Sequence, residues 1–205
     1  MLSKLQILSP LASTPIIHGV GLNYKAHADE GDAELCVIIG KECKNISTSE
    51  DPLDYVLGYS AGNDVSSRYW QDKTRSSGQH GYGKSMDKFA PLGPVIVSTE
   101  VLRDPSSLRI SAYVNGERRQ DSTTASMIFD VATLVRHLSR GITLRPGTII
   151  MTGTPDGVAA FMKPSPWLKH RDVVEVEISG IGKIKNRMWF ADENNLPPDD
   201  RTPGF

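Results

Sequence analysis

The residues with the clearest chemical content stand in the stretch Asp32-Ala33-Glu34-Leu35-Cys36-Val37-Ile38-Ile39-Gly40. The apolar run reads as a buried strand that begins on two carboxylates. Side chains alternate faces along a strand, so Asp32 and Glu34 share one face. Two carboxylates on one face repel each other unless a positive charge sits between them. A hard divalent cation suits them, because Mg²⁺ and Ca²⁺ prefer oxygen ligands. Taken alone, the pair is equally an ordinary solvated strand end.

Other residues could complete the chemistry. The segment Asn23 to Glu30 reads as a short helix, with His27 and Glu30 as i, i+3 neighbours. A carboxylate at that spacing orients an imidazole and raises its basicity, as a general base requires; a surface His–Glu pair has the same spacing. Asp64 closes a strand of small residues, Tyr59 to Val65, which a neighbouring segment can approach closely. A lone Asp at a strand end is ordinarily a turn or cap residue. Lys84 lies in a Gly/Ser/Lys-rich loop, residues 72–88, and offers a cation beside the carboxylates. Gly78 to Ser85 nearly meets the phosphate-loop pattern, but no strand precedes it and no helix pattern follows, so a flexible loop is expected. Thr152-Gly153-Thr154-Pro155-Asp156-Gly157 is a turn of small residues that leaves backbone amides and a threonine hydroxyl for an anionic group, or is simply a tight turn.

These residues need a scaffold, and the pattern predicts one rich in strands. Ile16, Ile17 and Val20 with Gly19 and Gly21 read as a buried strand ending in a turn. Thr48 or Ser49 caps a short helix running to Val56, with Pro52 in its first turn and Gly58 ending it. Val95 to Val97 reads as a buried strand. Leu108, Ile110, Ala112 and Val114 alternate with polar residues into Asn115-Gly116, a hairpin signal. Val131, Leu134, Val135 and Leu138 recur at helical spacing, stopped by Gly141, with His137 on the boundary or surface. Thr148 to Met151, Val173 to Ile178 and Lys183 to Phe190 supply further strands.

Composition bounds the answer. The chain has 205 residues, 39% hydrophobic and 23% charged, with a net charge of -1. That is ordinary for one globular domain and argues against nucleic-acid binding as the main role. No apolar run approaches the roughly 20 residues of a membrane span. The two cysteines, Cys36 and Cys43, form no CxxC pair, so a reduced cytoplasmic setting is expected, with a mitochondrial one left open.

Taken together, the motifs form an ordered set: Gly21-Leu22-Asn23-Tyr24 with His27 to Glu30, the carboxylate strand, Asn63-Asp64-Val65-Ser66-Ser67-Arg68, Gly83-Lys84-Ser85, Val114-Asn115-Gly116-Glu117, and Thr152 to Val158. The set resembles the fumarylacetoacetate hydrolase family, especially its smaller single-domain members, over residues 15–190. The resemblance implies a mixed, β-rich α+β fold, a β-sandwich roll, and a homodimer. Residues 1–14 are then a lead-in and 191–205 a surface tail. It implies an Mg²⁺ or Mn²⁺ site, with Ca²⁺ able to stand in within crystals, carried over to Asp32, Glu34 and Asp64. It implies His27 and Glu30 as a catalytic pair in a lid, Lys84 as the active-site lysine, and Arg68, Gln71 and Thr154 as substrate contacts.

The chain departs from the family twice. The first acid is Asp32 where the family has Glu. Family members also place a few tens of residues between the His–Glu helix and the metal strand, whereas here Glu30 runs through Gly31 directly into Asp32. Either the lid is lost or a mobile segment has been left out at this point; the second reading is preferred. The activity implied is metal-dependent hydrolysis of a C–C bond in a diketo acid such as an acylpyruvate or fumarylpyruvate. The alternatives are decarboxylation or keto–enol tautomerisation of an oxaloacetate-like acid, and a non-catalytic binding protein that kept the fold.

Overall fold

In the computed structural model two antiparallel-dominated sheets pack face to face, and the described residues are 8–24, 33–156 and 165–190. The strands are β1 (Ile17–Gly19), β2 (Ala33–Ile39), β3 (Val56–Asn63), β4 (Leu92–Ser98), β5 (Arg109–Val114), β6 (Glu117–Thr123), β7 (Ile149–Met151), β8 (Val173–Ile178) and β9 (Gly182–Arg187). One sheet has the order β1-β7-β2-β3-β4 and the other β6-β5-β8-β9. Among the described residues only the β1–β7 pairing is parallel. The helices are short: α1 (Arg68–Gln71), α2 (Lys73–Ser76) and α3 (Val131–Leu138). This is the mixed, β-rich sandwich roll expected from the sequence.

The central strand β2 is buried on both faces, which is why its sequence is a continuous apolar run rather than an alternation. Leu35, Val37 and Ile39 face the second sheet and join Ile110, Ala112, Val176 and Ile178 in the main core. Cys36 and Ile38 point the other way, into a smaller cluster with Ile149 and Met151. That cluster is roofed by Leu11 of the lead-in and by Ala90, Leu92 and Ile96. Glu34 has the parity of Cys36 and so belongs to this outer face.

The hairpin forms as predicted. Asn115 and Gly116 both adopt positive φ, 52° and 84°, the backbone that a tight two-residue connection between twisted strands requires. Helix α3 also matches, with Asp130 as its cap accepting from the Thr133 amide at 2.7 Å, and His137 is exposed.

Several expectations change. β1 is a half-exposed edge strand rather than a buried one, because β7 pairs with it on one side only. The helix expected up to Val56 is a single 3-10 turn, Pro52–Tyr55, capped by Asp51 rather than Thr48 or Ser49. Gly58 does not end it but lies inside β3. β4 is only partly buried and Val95 is exposed, since it forms the other edge of its sheet. The loop 72–88 contains α2 and a 3-10 turn, Tyr82–Lys84. Of the helix expected over Asn23 to Glu30, Asn23 is irregular and Tyr24 forms an isolated bridge to Met127; residues 25–32, with the rest of that helix and the start of the carboxylate strand, lie outside the described residues. So does the expected tail. The lid segment expected near Gly31 falls at the same place, outside the described residues.

The small residues of β3 let the sheet close tightly, as expected. Gly62 is in register with Glu34, and a Cβ there would collide with Cys36 Sγ and come within 3.0 Å of Met151 Cε. A Cβ at Gly58 would strike the Val97 carbonyl. Gly62→Ala and Gly58→Ala are therefore expected to destabilise by about 1–3 kcal/mol through overpacking. Gly19→Ala, with nothing within 4 Å of the added carbon, should stay within about 0.5 kcal/mol of wild type. Urea denaturation of the three variants checks this ranking, and equal midpoints would contradict it.

Candidate active site

A cavity of about 800 Å³ opens on the outer face of the five-stranded sheet, with Glu34, Asp64, Lys84 and Thr154 among its lining residues. Each arrives from a different element. Glu34 rides on β2, one residue inside its start. Asp64 stands one residue past the end of β3, and the β2–β3 register pairs Ala33 with Asn63 and Glu34 with Gly62. Lys84 ends the 3-10 turn Tyr82–Lys84. Thr154 follows β7. Apolar walls come from Ile17, Val20 and Leu22 on one side and Met86 and Phe89 on the other.

The floor of the cavity is an electrostatic conflict. Glu34 is 3% exposed and Asp64 7%, and their carboxyl groups are in hydrogen-bonding contact. Burial, and then the charge of Asp64, push the Glu34 carboxyl well above its usual range. The Gly153 amide, donating to Glu34 Oε2 at 2.8 Å, and the Lys84 ammonium pull the other way without cancelling the shift. Lys84 Nζ forms a close ion pair with Asp64 Oδ2 and donates to Ser66 Oγ at 3.0 Å. Two ionised carboxylates against one ammonium leave net negative charge in a buried place, which a divalent cation with oxygen preference would neutralise. Glu34 and Asp64 are the described residues that fit such an ion. Among the described residues there is no group of three or more His, Cys, Asp or Glu that could hold a metal; Asp32 lies outside them, as do His27 and Glu30.

The turn after β7 works differently from the expectation of free amides. The Thr152 amide and hydroxyl both donate to the Leu35 carbonyl, at 3.1 and 3.0 Å, and the Gly153 amide is taken by Glu34. The anionic group that the turn receives is thus Glu34 itself. Gly153 has φ +94°, and a Cβ there would come within 2.9 Å of the Val20 carbonyl oxygen, so only glycine fits this backbone comfortably. Asn23, which is buried, fastens the turn: its Nδ2 donates to the Thr152 carbonyl at 2.8 Å and to the Phe129 carbonyl at 3.0 Å.

Arg68 and Gln71 are not among the residues that line the cavity. They sit on α1, behind the turn that carries Lys84, with Arg68 Nη1 donating to Gln71 Oε1 at 2.9 Å. α1 packs there because Gly83 leaves room: a Cβ at Gly83 would meet Gln71 Cγ and the Ser67 carbonyl, each at 3.1 Å. The Gln71 Nε2 is buried without a hydrogen-bond partner among the described residues. Sequence reasoning gave no role to His80, which lines the cavity, or to Ser66 and Asn23. Their signals were weak, since Ser66 and Asn23 appear only inside motifs whose other members carry the chemistry.

A β-sandwich roll with buried acids at the end of adjacent central strands, a lysine against them and an apolar-walled cavity above defines a class of enzyme scaffold. Residues 12–189 match the family model described as fumarylacetoacetate (FAA) hydrolase C-terminal, and the chain belongs to the fumarylacetoacetate hydrolase family. It is 39% identical to a fumarylacetoacetate hydrolase domain-containing protein 2 homolog from Dictyostelium discoideum, over 89% of this chain and 74% of that one. It is 45% identical to a mitochondrial oxaloacetate tautomerase from Xenopus laevis, over 76% of this chain and 48% of the relative. The chain thus spans about half the length of the Xenopus relative. Among solved structures, a fumarylacetoacetate hydrolase from Exiguobacterium antarcticum superposes with a TM-score of 0.77 at 33% identity, covering 84% of this chain and 74% of that one. A maleylpyruvate hydrolase from Sphingobium sp. SYK-6, in complex with manganese (II) ion and pyruvate, gives 0.72 at 26% identity, with coverages of 86% and 70%. The last three of these are enzymes by name.

The raised carboxyl of Glu34 has a measurable consequence for the metal-free protein. Between its ordinary value of 4.5 and its raised value in the fold, the folded chain holds a proton that the unfolded chain has lost. That contribution to stability is complete below the ordinary value and is lost as pH rises through the folded one. Denaturant titrations of metal-free protein from about pH 5 to about pH 8 should show stability falling by up to about 1.4 kcal/mol per pH unit relative to Glu34→Gln. Parallel profiles for the two proteins would contradict it.

Proposed function

We propose that this chain is a divalent-metal-dependent enzyme acting on a 2-oxo or 1,3-diketo acid, with keto–enol tautomerisation of an oxaloacetate-like acid as its reaction. The observation that carries the reading is the Glu34–Asp64–Lys84 floor, which lacks one positive charge and opens into a cavity of about 800 Å³. The 45% identity to the oxaloacetate tautomerase favours tautomerisation over the C–C hydrolysis preferred from sequence. Hydrolysis of an acylpyruvate or fumarylpyruvate is the second reading, supported by the likeness to the maleylpyruvate hydrolase with manganese and pyruvate. Decarboxylation of an oxaloacetate-like acid would use the same floor.

In this reading Glu34 and Asp64, with Asp32, hold Mg²⁺ or Mn²⁺, and the relative with bound manganese favours a divalent ion. When bound, the ion would supply Lewis acidity to a keto oxygen of the substrate. The Lys84 ammonium stands beside Asp64 and stabilises negative charge that develops on that oxygen. Thr154 offers its hydroxyl to the substrate's carboxylate or keto group, and the buried donor of Gln71, with Arg68, would serve a carboxylate reaching toward α1. His27, oriented by Glu30, moves the proton on the carbon beside the keto group. In a hydrolase it would activate water instead. The apolar walls exclude water from the reacting carbon.

The lid of this chain is read as shortened. The alignment with the Dictyostelium relative runs over 228 residues while using 89% of a 205-residue chain, so the relative carries residues opposite gaps here. A homodimer in the cytoplasm, or in the mitochondrion as named for the Xenopus relative, belongs to the same proposal.

The test is a panel of enolised oxaloacetate, acetylpyruvate and fumarylpyruvate with Mg²⁺ or Mn²⁺, with and without EDTA. Metal-dependent loss of enol absorbance without matching pyruvate release is expected; metal-dependent pyruvate release from a diketo acid would move the assignment to hydrolysis. No turnover with metal bound would support the non-catalytic reading. Glu34→Ala should abolish metal binding, whereas His27→Ala should keep the metal and lose turnover. Lys84→Met should lower kcat by about 10²–10³-fold, as loss of an electrostatic stabiliser does.

A further inference from the structure

Gln120 stands on β6, in the sheet opposite the one that carries Glu34, and is 2% exposed. An amide on a strand flanked by Arg119 and Asp121 would ordinarily face solvent. Here its parity turns it inward, and the side chain crosses from one sheet to the other. Its Oε1 accepts from the Ala33 amide at 3.1 Å, at the start of β2 and between the two acids of the carboxylate stretch. Its Nε2 donates to Thr154 Oγ1 at 2.9 Å and to the Pro155 carbonyl at 2.8 Å. Three of the amide's four hydrogen-bonding positions are therefore committed, and the amide orientation is determined: the oxygen must face an N–H and the nitrogen a carbonyl.

The consequence falls on Thr154. A hydroxyl has one hydrogen to donate and lone pairs to accept with. Gln120 fills an acceptor position, and no acceptor for the Thr154 hydrogen is found among the described residues. Thr154 is nearly buried but lines the cavity beside Glu34, Asp64 and Lys84. The hydrogen is thus left for whatever occupies the cavity. A donor held this way favours an oxygen that carries negative charge over one that must itself donate.

We propose that Gln120 is a positioning residue that sets the Thr154 hydroxyl as a hydrogen-bond donor into the cavity, and so selects an anionic oxygen of the ligand. This rests on the reading of the cavity as a 2-oxo acid site, since that reading supplies the anion.

The test uses oxalate, a planar dianion that mimics the carboxylate and enolate oxygens of a 2-oxo acid and does not turn over. Mn²⁺ is titrated into the full-length wild type, Gln120→Met, Thr154→Val, Thr154→Ser and the Gln120→Met/Thr154→Val double variant by calorimetry, and oxalate is then titrated into each loaded protein. Gln120→Met and Thr154→Val are each expected to weaken oxalate by about 10–100-fold, the size of a lost hydrogen bond to a charged group, with Mn²⁺ affinity unchanged. The double variant should lose no more than Thr154→Val alone, and Thr154→Ser should restore binding. Oxalate affinity unaffected by Gln120→Met, losses that multiply in the double variant, or a parallel fall in Mn²⁺ affinity would overturn the assignment. Wild type that binds neither Mn²⁺ nor oxalate would instead overturn the reading of the cavity, and this assignment with it.

Discussion

The site depends on one arrangement: two carboxyl groups, Glu34 and Asp64, pressed together in a buried place with one lysine. Burying like charges is costly, and a protein normally relieves the cost by protonation or by a counter-ion. Here the fold does part of each. Burial and Asp64 raise the Glu34 carboxyl, Lys84 pairs with Asp64, and the Gly153 amide serves Glu34. What the described residues do not supply is a second positive charge. The surrounding structure keeps the two acids from moving apart, because β2 is a central strand buried on both faces and β3 is pinned against it through Gly62.

The sandwich explains how so little helix can hold so exact an arrangement. Asp64, Lys84 and Thr154 stand at an element's end or beyond it, where the backbone leaves the ladder, and Glu34 is one residue inside the start of β2, so their side chains can converge. Each such end is tied to another. The Thr152 turn is held by Leu35, Asn23 and Glu34, and Gln120 bridges the turn and the start of β2 from the opposite sheet. Rigid strands thus supply the positions, and short turns supply the chemical groups.

Much of this was legible in sequence, for physical reasons. The strand from Ala33 to Ile39 is continuous and apolar because both its faces are buried. The Asn115-Gly116 hairpin was readable because positive φ at two successive positions favours those two residues. Glu34, Asp64, Lys84 and Thr154 were singled out as candidates, and the structure brings them to one cavity, although Asp64 alone reads as a turn residue. The misses share a cause. Edge strands β1 and β4 look buried in sequence because exposure depends on what lies beside them, which local pattern does not contain. Gln120 has no local signal, since its importance comes from three partners on β2 and the turn after β7. The amide of Gly153 has no side chain to announce it, and its use by Glu34 appears only once the strands are assembled.

The central claim is that this floor takes a divalent cation between Glu34 and Asp64 and presents it to a 2-oxo acid. A crystal structure of the full chain grown with Mn²⁺ and pyruvate, with anomalous data, tests it most directly. The account predicts an anomalous peak within bonding distance of Glu34 and Asp64 carboxylate oxygens, about 2.0–2.2 Å for a hard divalent ion of this kind, with pyruvate beside it and near Lys84. Pyruvate and manganese at another place, or Lys84 still closing the space between the two acids with manganese in excess, would contradict it.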